Sequence, residues 1–86
     1  MNFADMLDIA MYAKCELKIK TMQRGTIIGT PEATDEFDSD SERFGYYIAI
    51  GEHEVDTVFL DEITEITVID SNMPALVLET HKLSGA

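Results

Sequence analysis

The chain has 86 residues, one cysteine and a net charge of −11, enough for a single domain because independent cores need roughly 50–200 residues each. Cys15 alone rules out an internal disulfide framework, so a reducing compartment, the cytoplasm, is expected. No apolar run approaches the roughly 20 residues of a membrane span, and Met1-Asn2-Phe3-Ala4-Asp5 lacks the basic start of a signal peptide, so a soluble chain that is not exported is expected.

Phe3, Met6, Leu7, Ala10 and Met11 recur at helical spacing, with Asn2 or Asp5 available as an N-cap, which predicts a helix over residues 3–13. The period then changes. Cys15, Leu17 and Ile19 alternate with Glu16, Lys18 and Lys20 as a half-buried strand requires. Gln23-Arg24-Gly25 supplies a turn, and Thr26-Ile27-Ile28-Gly29-Thr30 reads as a second strand ending near Pro31. Residues 33–43 are polar and acidic with one large apolar side chain, Phe37, and predict a mobile loop. Phe44, Tyr46, Ile48 and Ile50 alternate with Gly45, Tyr47 and Ala49, so one of the adjacent tyrosines faces inward and the other outward. After a turn at Glu52-His53-Glu54, Val55–Leu60 returns as the hairpin partner. Leu60-Asp61-Glu62-Ile63 breaks the chain for one turn before Ile66-Thr67-Val68-Ile69, and Ala75–Thr80 reads as a last strand.

One helix followed by five or six short, sequentially joined strands predicts a strand-rich α+β fold over residues 1–86. The expected form is an antiparallel SH3-like or Sm-like small barrel over about residues 15–80, with the helix across one open end. A chain this short buries only about 60–65% of the surface its unfolded form exposes, so a large substrate cavity is not expected. A thin core and unpaired strand edges also predict self-association, at least as a dimer, against the like charge of the two copies.

The order Ala10-Met11-Tyr12, Glu16-Leu17-Lys18-Ile19-Lys20, Gly25-Thr26-Ile27-Ile28-Gly29, Tyr46-Tyr47-Ile48-Ala49-Ile50 and Val58-Phe59-Leu60-Asp61-Glu62-Ile63-Thr64-Glu65-Ile66 resembles the YolD-like family. Those are small proteins of Gram-positive bacteria and their phages, often encoded near error-prone polymerase genes. The acidic segment 33–43 and the chain after Asp70 depart from the pattern. The resemblance implies a binding accessory with no catalytic residues to carry over.

The charge is unevenly placed. From Glu32 to Glu65 twelve acidic residues stand against Arg43 alone, whereas residues 1–24 are close to neutral. Phosphate-backbone binding needs cations that replace condensed counterions, so direct nucleic-acid binding is not expected. The carboxylates of Asp35, Glu36, Asp38, Asp40 and Glu42 suggest a hard cation, but an EF-hand loop beginning at Asp38 needs Gly where Arg43 stands and Glu where Ala49 stands. No metal or other cofactor is therefore expected. His53 sits between Glu52 and Glu54 with no second ligand nearby, and Cys15 falls on the inward face as a small hydrophobe. With no nucleophile elbow, phosphate-binding loop or zinc spacing, the sequence predicts a protein that is not an enzyme.

Two readings follow. In the first, a phage- or mobile-element-encoded inhibitor imitates nucleic-acid phosphates and blocks a basic nucleic-acid-binding host protein, as anti-restriction and anti-CRISPR proteins do. Its expected partner-binding residues are Asp35, Glu36, Phe37, Asp38, Asp40, Glu42, Glu52, Glu54 and Asp56, with Phe37 as an apolar anchor. In the second, the chain is an oligomeric small-barrel accessory module that binds a protein or a small nucleotide-like ligand.

Overall fold

The computed structural model describes residues 2–38, 43–70 and 82–84. Helix α1 (Phe3–Ala13) opens the chain. Asn2 and Asp5 cap it reciprocally: the Asn2 N–H donates to Asp5 Oδ2 at 3.1 Å and the Asp5 N–H to Asn2 Oδ1 at 2.8 Å. Two N–H groups that would otherwise lack partners are thereby satisfied. The helix stops at Lys14, whose backbone is left-handed at φ 57°, and the Cys15 N–H donates back to the Ala10 carbonyl at 2.9 Å.

Five strands form the antiparallel sheet: β1 (Leu17–Thr21), β2 (Thr26–Asp38), β3 (Arg43–Ala49), β4 (Val55–Phe59) and β5 (Ile63–Val68). A three-residue strand, β6 (Lys82–Ser84), lies against β5, giving the order β4-β3-β2-β1-β5-β6 with β4 and β6 at the edges. A single 3-10 turn, Leu60–Glu62, links β4 to β5. The fold is thus a strand-rich α+β unit, as the alternation from Cys15 onward predicts. The strand expected over Ala75–Thr80 lies outside the described residues.

The second strand differs from its sequence reading, because β2 does not end at Pro31 but runs to Asp38. Its first half pairs with β1 (Leu17 opposite Gly29, Ile19 opposite Ile27) and its second with β3 (Thr30 opposite Ala49, Thr34 opposite Tyr46, Asp35 opposite Gly45). Proline is tolerated because the ladder shifts register between Pro31 and Ala33, where a missing N–H costs nothing. Residues 33–38 are therefore strand and not loop: β3 pairs with Ala33, Thr34, Asp35 and, after a second register shift, Asp38, and that outweighs their poor strand composition. Between the two halves, a Cβ on Gly29 would meet the Ala49 carbonyl oxygen at 2.3 Å, so only glycine lets β2 turn from one partner to the other.

Met6, Leu7 and Ala10 of α1 pack with Leu17, Ile19, Ile27, Tyr46, Ile48, Val58, Ile63, Ile66 and Val68 on the inner face of the sheet. Each fully buried Leu or Ile is worth about 1.5–3 kcal/mol. Tyr46 is the inward tyrosine; its hydroxyl donates to Asp8 Oδ1 at 2.6 Å, tying β3 to the helix. Tyr47 faces outward. Cys15 is buried as its alternation predicts, although it precedes β1.

Candidate partner-binding surface

The β1–β2 turn is built around Thr21, whose hydroxyl accepts from the Arg24 N–H at 3.0 Å and donates to the Gly25 carbonyl at 2.8 Å. Gly25 takes φ 76°, a conformation that disfavours other residues. The turn docks on the 3-10 segment through the Met22 N–H, which donates to the Glu62 carbonyl at 2.9 Å. That contact holds Arg24 over the edge of β4.

Arg24 uses three of its donors there. Nε donates to Glu62 Oε1 at 2.8 Å, Nη1 to Asp56 Oδ1 at 3.1 Å and Nη2 to the Thr57 carbonyl at 2.7 Å. Glu62 in turn accepts from the Phe59 N–H through Oε2 at 3.1 Å. The Glu62 hydrogen bond foremost, together with that of Asp56, raises the Arg24 pKa further. Thr57 and Phe59 lie two residues apart, so their polar groups project to the same side of β4. This side-chain network gives the edge strand partners that no neighbouring strand supplies among the described residues. Beside it lies an open groove of about 510 Å³, lined by Met22, Gln23, Arg24, Thr57, Phe59, Asp61 and Glu62.

The acidic residues expected to bind a partner do not fall in one cluster. Asp35, Glu36, Phe37 and Asp38 lie on the far half of β2, with Asp35 opposite Gly45 and Asp38 opposite Arg43. Asp40 and Glu42 lie outside the described residues. Glu52 and Glu54 are exposed in the β3–β4 turn, at the Ala49 end of the hairpin. Gly45 and Ala49 are four residues apart, about 13 Å along an extended strand. Screening falls off over about 8 Å at physiological salt, so the two groups act as separate patches. Asp56 belongs to neither, because its carboxylate is held by Arg24.

Arg24 and Glu62 escaped the sequence reading because 38 residues separate them, and only the docking of the turn on the 3-10 segment brings them together. The outer face of β3 and β4 was signalled in part, by the outward place of Tyr47. Burial, with a smaller effect from Asp70, pushes the Cys15 thiol pKa up, and burial with the Asp8 hydrogen bond pushes Tyr46 up. Among the described residues no three His, Cys, Asp or Glu side chains gather as a metal site, and no helix is long and apolar enough to cross a membrane.

Comparisons with protein families, with curated proteins and with solved structures find no match to this chain.

Proposed function

We propose that the chain is a non-enzymatic inhibitor, carried by a phage or mobile element, that docks its acidic surface on a basic nucleic-acid-binding protein and blocks it as a nucleic-acid mimic of the anti-restriction or anti-CRISPR kind. The observation that carries this is the excess of twelve acidic residues over Arg43 between Glu32 and Glu65. Three carboxylates in that stretch are paired with cations outside it, Asp56 and Glu62 sharing Arg24, and Glu65 with Lys20 at 3.7 Å. A surface so charged attracts a positive partner and raises its association rate. Cys15 and Tyr46, both buried and held in their neutral forms, offer no nucleophile to a substrate.

The same proposal takes the sheet as a small barrel of the SH3-like or Sm-like kind. Support comes from the strand order, from the bent β2 shared between two partners, and from the 3-10 turn before β5. The sheet is open, and on this reading its seam lies beside Arg24, which bridges the β1–β2 turn to β4 by side chains. Membership of the YolD-like family rests on the quoted residues alone. The oligomeric accessory module comes second, since a copy pairing along β4 must displace Arg24 and Glu62 from Thr57 and Phe59.

The test is competition. The chain is titrated into complexes of basic bacterial DNA-binding proteins with a labelled duplex, at low and at physiological salt. A mimic displaces the duplex from some of them, with apparent affinity falling as salt rises. Displacement from none, or displacement indifferent to salt, contradicts the proposal.

A further inference from the structure

The strand pairing assembles an outer sheet face, bordered at Thr30, Glu32 and Ala49 by Met11 and Lys14 at the end of the helix across an open pocket. Across β2, β3 and β4 the registers align Ala33 with Tyr47 and Thr57, and Thr30 with Ala49 and Val55. Because strand side chains alternate, these rows face away from Tyr46 and Ile48 in the core. The next row is Asp35, Gly45 and Phe59, with the acidic residue at its β2 end, and the Phe59 ring lies over the glycine, 3.0 Å from where a Cβ would stand. Tyr47 is 38% exposed and Val55 53%. Apolar side chains scattered singly on a surface need no explanation, but Tyr47 and Val55 occupy adjacent rows containing no charged residue, in a chain of net charge −11.

Charge surrounds this face. Glu32 stands at its β2 border, in the register shift between Pro31 and Ala33, and Glu52 and Glu54 stand exposed at the β3–β4 turn. On the β1 side the sheet continues to Lys18, opposite Ile28. An apolar centre with a polar rim is the layout of a protein interface. A second copy meets this face with the same glutamates, so its rim opposes like with like.

We propose that the outer face of β2–β3–β4, with Tyr47 and Val55 at its centre and Glu32, Glu52 and Glu54 at its rim, is the docking surface for an apolar segment flanked by lysine or arginine on a basic partner protein. The inference rests on the acidic-docking reading and deepens it, because it moves the apolar anchor from Phe37 to Tyr47 and names the rim carboxylates.

The experiment is NMR titration of the isotope-labelled full chain with a synthetic leucine–tryptophan peptide flanked by lysines, with its glutamate-flanked analogue and with a lysine-flanked analogue whose apolar residues are serine. The lysine-flanked apolar peptide is expected to shift the amides of Ala33, Tyr47, Val55 and Thr57. The serine analogue and the Tyr47→Ser/Val55→Thr variant should each bind roughly tenfold more weakly, with the variant's thermal unfolding close to the parent's. Equal binding of both lysine peptides overturns the apolar face while leaving acidic docking standing. Equal binding of the glutamate-flanked peptide overturns acidic docking, and no binding by any peptide overturns both. Shifts at the same amides on raising protein concentration without peptide assign the face to a second copy and overturn the proposal.

Discussion

Tyr46 and Gly29 each decide more than their own position. The Tyr46 hydroxyl donates to Asp8 on the helix, and both burial and that bond raise its pKa. A group whose pKa is higher folded than unfolded stabilises the fold fully below the unfolded value, about 10 for tyrosine, and loses that contribution as pH rises through the folded value. Alkaline unfolding is therefore expected, and Tyr46→Phe should flatten that limb of the stability–pH curve. At neutral pH the same variant should cost about 1 kcal/mol for a hydrogen bond to an exposed carboxylate. Denaturant titrations of both proteins across the alkaline range check both signs. Gly29→Ala places a methyl against the Ala49 carbonyl, which cannot move without breaking the ladder. A loss of about 3 kcal/mol or more is expected by thermal unfolding.

At the scale of elements, the clamp on β4 occupies the edge that no strand covers among the described residues. Arg24→Ala leaves the Thr57 carbonyl and the Asp56 and Glu62 carboxylates without this cation. Since exposed pairs contribute little, the expected cost is about 1 kcal/mol, with a larger effect on association: sedimentation should show the variant self-associating at concentrations where the parent does not. A variant with the parent's mass distribution sinks the edge-protecting role of Arg24. The helix, the Arg43–Ala49 and Val55–Phe59 hairpin and the 3-10 break were legible in the sequence, because each carries its own periodicity or turn chemistry. The far half of β2 was not. Its composition reads as a loop, and only the register with Gly45, Tyr46 and Tyr47 makes it a strand. The clamp was equally hidden, since nothing local to Arg24 points to residues 32 to 38 positions away.

At the scale of the molecule, the strands divide the acidic charge into two patches at opposite ends of the β3–β4 hairpin, one on β2 near Asp35 and Asp38 and one at Glu52 and Glu54. Asp35 borders the outer face through the Gly45 and Phe59 row, and Glu52 and Glu54 border it from the exposed turn beside Val55, where the larger contribution to partner docking is expected. Neither set of substitutions removes a described core contact, so both variants should keep the fold of the parent by circular dichroism. The decisive measurement is the ionic-strength dependence of association with a basic DNA-binding protein that the chain displaces from its duplex. It compares the parent with Glu32→Gln/Glu52→Gln/Glu54→Gln and with Asp35→Asn/Asp38→Asn/Asp40→Asn/Glu42→Gln. The account predicts an association rate for the parent that falls steeply with salt, a loss of roughly tenfold at low salt for the glutamate triple variant, and a smaller loss for the quadruple variant. A parent rate indifferent to salt, with both variants binding as the parent does, contradicts it: the acidic surface would then serve only to keep the chain in solution.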